Sequence, residues 1–123
     1  MIDTEKIIEG RSFAIYGVTN NERCLFRDFI EDLNASDQKK IIALLKRTAD
    51  DGTPRNTEKF DSIKGTRLWE FKSFQIRIFC FFDKGKMIIL THGFIKKKNK
   101  TPSAEIEKAL RLMKEYQQEA RKK

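Results

Sequence analysis

Four side chains in the second half of the chain combine types that move protons with types that hold negative charge: Glu70, Lys72, Arg77 and His92. Arg77 falls in the run FQIRIFCFF, where alternation sets it among Ile76, Ile78, Phe79 and Phe81. A permanent charge inside an apolar strand requires a reason. The guanidinium can act as a fixed cation for phosphate, or it can pair with Glu70 across neighbouring strands. The two are compatible, since Glu70 could hold Arg77 in place while it faces an anion. His92 is the only histidine, and its resting pKa suits proton transfer near neutrality. Amid Ile88, Leu90 and Phe94, it fits equally a hydrogen-bonded, half-buried side chain. Lys72 shares strand parity with Glu70; it can approach Arg77 and the same anion, or face solvent at a strand end. Cys24 and Cys80 lie far apart with no CxxC and only His92 as a possible imidazole ligand. Neither a zinc site nor a disulfide framework is indicated, and both are expected as buried, reduced thiols. No metal and no cofactor is expected.

Around these residues the charge is uneven. The net charge is +8. Residues 1–83 carry 14 Lys and Arg against 14 Asp and Glu, whereas residues 84–123 carry 12 against 4, so the last third holds the whole excess. Lys96, Lys97, Lys98 and Lys100 crowd between Phe94, Ile95 and Pro102, which places them on an ordered strand end and turn. An ordered basic patch favours a polyanion, nucleic acid foremost. We assign these lysines, with Arg67 at the start of a strand, to nucleic-acid backbone contacts. Residues 121–123, RKK, are expected as a frayed basic tail.

The elements that must position these groups follow from periodicity. Residues 11–18, RSFAIYGV, alternate as a strand. Asn20 or Asn21 then caps a helix with Leu25, Phe26, Phe29, Ile30 and Leu33 on its apolar face, and Ser36 caps a second with Ile41, Ile42, Leu44, Leu45 and Ala49 before Gly52. Residues 51–65 have the composition of a surface loop tacked down by Phe60 and Ile63. Three strands follow over 67–72, 74–82 and 86–95, with tight turns at Ser73 and at DKG, 83–85. Thr101 and Pro102 open a last helix with Ile106, Ala109, Leu110, Met113 and Ala120 on one stripe. The expected fold is α+β in the order β-α-α-β-β-β-α, a helical hairpin and a C-terminal helix packed on an antiparallel sheet of four strands. Helices are expected on one face, with Lys72, Arg77, His92 and Lys96 on the basic opposite face or edge.

At 123 residues, with 39% apolar and 36% charged side chains and ten Phe, the chain suits a single domain over 1–123. It has no apolar run of the roughly 20 residues that cross a bilayer. A cytoplasmic location is expected, with no membrane and no small-molecule substrate.

The segments Leu68-Trp69-Glu70-Phe71-Lys72, Ile76-Arg77-Ile78, His92-Gly93-Phe94-Ile95-Lys96-Lys97 and Lys100-Thr101-Pro102 with Ala109 together resemble the HigB-like, phage-related branch of the RelE/ParE toxin superfamily. The matching pattern is an L-aromatic-E-L-R strand, an Arg in the next strand, an h-G-F-x-K-K segment and a K-T-P helix start. The resemblance implies a RelE-like fold and the toxin of a toxin–antitoxin pair, an endoribonuclease cutting mRNA on the ribosome. It also implies a small helix-turn-helix antitoxin as partner. On this basis Arg77, His92, Lys72 and Glu70 become catalytic candidates, and Lys96, Lys97, Lys98, Lys100 and Arg67 candidates for RNA binding. Lys72 departs from the pattern, which has Arg there; Lys keeps the charge but loses the two-pronged grip on phosphate. Two alternatives stand beside the enzyme: a non-catalytic inhibitor binding a target such as gyrase, and a decayed phage protein retaining only the fold.

Overall fold

Runs of β-branched and aromatic residues make the strands, and apolar positions spaced three and four apart make the helices. The computed structural model describes residues 2–97 and 99–121. Its elements, in chain order, are β1 (Ile2–Glu9), β2 (Ala14–Asn20), β3 (Arg23–Cys24), α1 (Leu25–Glu31), α2 (Ala35–Asp51), β4 (Phe60–Ser62), β5 (Trp69–Ser73), β6 (Ile76–Asp83), β7 (Met87–Ile95) and α3 (Ser103–Arg121). The strands form one seven-stranded sheet in the order β1-β2-β7-β6-β5-β4, with β3 paired to β2. β7 runs parallel to β2, Ala14 opposite Met87 through Gly17 opposite Leu90. All other pairings are antiparallel.

The class is α+β, but the sheet is mixed and larger than the four antiparallel strands expected. β1 adds an outer strand whose charged residues, Asp3, Glu5, Lys6 and Glu9, hide its alternation and suit a sheet edge. β3 and β4 are too short to carry a period. Helix starts also shift. Asn21 and Glu22, at φ 52° and 69°, make the turn between β2 and β3 instead of capping a helix, and α1 starts after Cys24 with no side-chain cap. α2 is capped by Asn34, whose side chain accepts from the Asp37 N–H, two residues ahead of the expected Ser36.

The helices lie on both faces, which corrects the expected open basic face. α1 and α2 cover one side, where Phe26, Ile41, Leu45 and Ala49 meet Ile15, Phe71, Ile78, Ile88 and Leu90. α3 covers the other, setting Ala109 and Leu112 against Val18, Phe79, Phe81 and Ile89. Its stripe continues to Tyr116, whose hydroxyl donates to Asp83 Oδ2 at 2.5 Å, and Ala120 stays exposed beyond it. Gly93 permits the close seating of α1: a Cβ there would lie 2.4 Å from Phe29 Cδ2. Beyond the register shift in the β6–β7 pairing, which lies between Leu90 and Gly93, β7 turns Gly93 toward α1 and its neighbours His92 and Phe94 toward α3.

Candidate functional site

Strand register gathers most of the candidate residues on the α3 face. Glu70 stands opposite Phe79 and Lys72 opposite Arg77 between β5 and β6, and Arg77 stands opposite Phe94 between β6 and β7. Directly paired residues project to the same side, so Glu70, Lys72 and Arg77 share the side of Phe79, Phe94 and His92. Lys96 follows with the same parity just beyond β7, its N–H bonded to the Gln75 carbonyl at 2.7 Å.

Arg77 is held on several sides. Its Nη1 donates to the carbonyls of Phe74 at 2.6 Å and Ile76 at 3.0 Å. Its Nε lies 3.7 Å from Glu70 Oε1, both side chains being 11% exposed. At that separation the pair is Coulombic and not hydrogen-bonded. Both atoms are buried without a hydrogen-bond partner among the described residues. Burial pushes the Glu70 carboxyl above the usual carboxylate range, against the pull of Lys72, Arg77 and Lys96. Lys72 Nζ sits 3.7 Å from Asp61 Oδ2 on β4. One buried carboxylate thus stands among three cations, and the guanidinium is fixed by backbone oxygens at the β5–β6 turn.

His92 belongs to a different set of contacts. It is 3% exposed, with Nε2 3.0 Å from Glu105 Oε1 on α3 and Nδ1 3.3 Å from Thr91 Oγ1. The Phe79 ring meets it edge-on at 5.7 Å and meets Phe94 at 5.1 Å. Burial lowers the imidazole pKa, and the Glu105 bond opposes that shift without reversing it. The ring is therefore neutral near pH 7, and the Glu105 carboxylate implies that Nε2 carries the proton. Arg77 is paired with Phe94 between β6 and β7, and the Phe79 ring lies against both Phe94 and His92. The polar partners of Arg77 and His92 lie in opposite directions, the turn for Arg77 and α3 for His92.

Lys97 and Lys100 are exposed past the end of β7, and Lys98 lies outside the described residues. Arg67 is not brought to the cluster. It precedes β5 at the end far from Lys72, beside a hollow of about 290 Å³ lined also by Trp69, Met113 and Gln117. Two residues of the site escaped the sequence analysis. Asp61 sat in an expected loop, and Glu105 was legible only as a first-turn acid of α3, favourable to the helix dipole, with no hint of its partner. Cys24 and Cys80 are free and buried, and burial raises both thiol pKa values. Among the described residues no three His, Cys, Asp or Glu side chains gather where they could hold a metal ion. No helix is long and apolar enough to cross a membrane.

Residues 28–114 fit the model of the family described as phage derived protein Gp49-like (DUF891). The matched span runs from inside α1 to inside α3 and includes β5, β6 and β7. No curated protein matches the chain.

Proposed function

The chain belongs to the Gp49-like family of phage-derived proteins, a RelE- and toxin-like family, and on that premise we propose that it is the toxin of a toxin–antitoxin pair. In this reading it is an endoribonuclease of the HigB-like kind with a RelE-like fold, cutting mRNA on the ribosome in the cytoplasm. A helix-turn-helix antitoxin holds it inactive by covering the basic residues around Lys96. The observation that carries the proposal is the Arg77 guanidinium, fixed by two carbonyls beside buried Glu70 and flanked by Lys72 and Lys96.

RNA cleavage needs what that cluster offers. The 2′-oxygen attacks phosphorus, the new O2′–P bond forms and the P–O5′ bond breaks, leaving a 2′,3′-cyclic phosphate and a 5′-hydroxyl. Glu70, its proton affinity raised by burial, takes the 2′-hydroxyl proton. Lys72 returns a proton to the departing 5′-oxygen. Arg77 and Lys96 hold the non-bridging oxygens, where negative charge grows in the transition state. His92, engaged by Glu105 and Thr91, is placed as a positioning residue that fastens α3 over Phe79 and Phe94. Lys97, Lys98, Lys100 and Arg67 extend the backbone contacts outward.

Mapping of RNA 5′ ends after controlled expression, with and without ribosomes, tests the proposal. New 5′-hydroxyl ends that vanish in folded Arg77→Ala are expected. A second reading, inhibition of a macromolecular target such as gyrase without chemistry, draws on the burial of both Glu70 and His92. It takes over if parent and Arg77→Ala poison cells equally and neither cuts RNA.

A further inference from the structure

A cleft of about 730 Å³ opens on the other side of the β5–β6 turn, between that turn, α2 from Lys40 to Asp51 and residues 52–59. Its walls carry Lys40, Arg47, Arg55 and Lys59, and Lys72 borders it. Of the two carboxylates at its rim, Asp51 and Glu58, the first is engaged by Arg11 at 3.0 Å. The cleft is therefore strongly positive.

At its mouth stands Phe74, the most exposed large apolar side chain among the described residues, at 76%. Expected as the first residue of a strand, it occupies the two-residue turn between β5 and β6 at φ 55°. A turn of this kind normally places Gly where the first central residue has positive φ, and a bulky aromatic there is strained. The ring stands outside the core, with the Lys40 ammonium 4.5 Å from its centroid. Strain kept at an exposed aromatic beside a basic cleft points to a ligand with flat faces and regularly spaced negative charge. Single-stranded nucleic acid has both, whereas an acidic peptide offers the charge without the flat faces.

We propose that this cleft binds the single-stranded RNA flanking the cleaved bond, with one base stacked on Phe74 and adjoining phosphates on Lys40, Arg47, Arg55 and Lys59. The inference rests on the endoribonuclease reading and adds to it the path of the substrate. Phe74 links the two sites, because its carbonyl is one of the two that accept from Arg77 Nη1. A base on the ring stands two residues from Lys72, so the strand leads directly toward the cleavage cluster.

The test is a fluorescence-anisotropy titration of the full chain with a short 2′-O-methyl oligouridine, which cannot be cut because its 2′-oxygens are blocked. Phe74→Gly should weaken binding on the order of ten-fold or more, the usual size of one lost base stack. The same variant should melt higher than the parent, since Gly suits the turn. Lys40, Arg47 and Arg55 changed together to Ala should lower the salt slope of binding by about 2, at about 0.7 per phosphate contact. Parent-like affinity in Phe74→Gly, or an unchanged slope in the triple variant, overturns the inference. So does binding of polyglutamate in place of the oligonucleotide, with the same dependence on Phe74, which would assign the cleft to an acidic protein. Because the probe is uncleavable, the two failures separate. Phe74-dependent binding by a parent that cuts no RNA overturns the enzyme reading, and RNA cutting with Phe74-independent binding overturns this one.

Discussion

The same strands line both faces of the sheet, yet the two faces are built to different rules. Toward α1 and α2, β6 sends Ile76, Ile78 and Cys80, and the buried side chains there are apolar save for Thr48, whose hydroxyl donates to the Leu44 carbonyl. Toward α3, β6 sends Arg77 beside Phe79 and Phe81, and β5 and β7 add Glu70 and His92, all three of these ionisable groups largely buried. An apolar face gains free energy with every side chain it removes from water. A face with buried ionisable groups gives much of that back in desolvation. The contrast teaches that α1 and α2 pack on a face free of buried carboxylate, guanidinium and imidazole, while α3 covers an apolar face into which those three groups are set.

The largest expected effect tests that division directly. Arg77→Ala should lower RNA cleavage by about 10²-fold or more, the usual cost of a lost transition-state cation, with the fold intact by circular dichroism. Cleavage at the parental rate by the folded variant would remove the α3 face from the chemistry. Next is Leu45→Ala on the apolar face, where the side chain is fully buried. It should cost about 2–5 kcal/mol in denaturant melts and leave cleavage per folded molecule unchanged; a specific loss of activity would blur the contrast. A smaller change is expected from Lys96, Lys97 and Lys100 replaced together by Ala. The slope of log affinity for RNA against log salt should become shallower by about 2, and salt titrations that superimpose on the parent would take these lysines out of the interface.

The smallest expected effect concerns His92. Folding holds its pKa below the ordinary 6.5 through burial, so between the two values the unfolded chain binds more protons than the folded one. The stability contributed by the neutral ring is complete above pH 6.5 and declines as the pH falls through the folded value. Thermal melts from about pH 7.5 to about pH 5 should show a steeper acid-side decline for the parent than for His92→Gln. Parallel curves would mean that the imidazole is not held neutral by α3.

What could be read in advance from the residues divides along physical lines. α2, β6, β7 and α3 were legible because long apolar stripes fix their own period, and the juxtaposition of Lys72, Glu70 and Arg77 followed from parity across a short turn. β1 was not, since its charges break the alternation. The parallel pairing of β2 with β7 was not, since nothing in local spacing says which remote strands meet. The burial of His92 depended on Glu105 of α3, and with it on which face α3 would choose. Phe74 was misread for a simpler reason: an aromatic next to an apolar run looks like the start of a strand, and only its φ shows that it makes the turn.

The single parallel seam between β2 and β7 has a bearing on how the chain comes to be folded. On one side of it lie β1, β2 and β3, and on the other β7, β6, β5 and β4, two antiparallel groups joined in the sheet only there. A chain emerging residue by residue can assemble its first hairpin early, but the second edge of β2, from Ala14 to Gly17, has no partner strand until Met87–Ile95 has been made. Such distant partners make for slow acquisition of structure. During synthesis the β2 edge must wait, its unpaired backbone groups open to other chains, until β7 has been made.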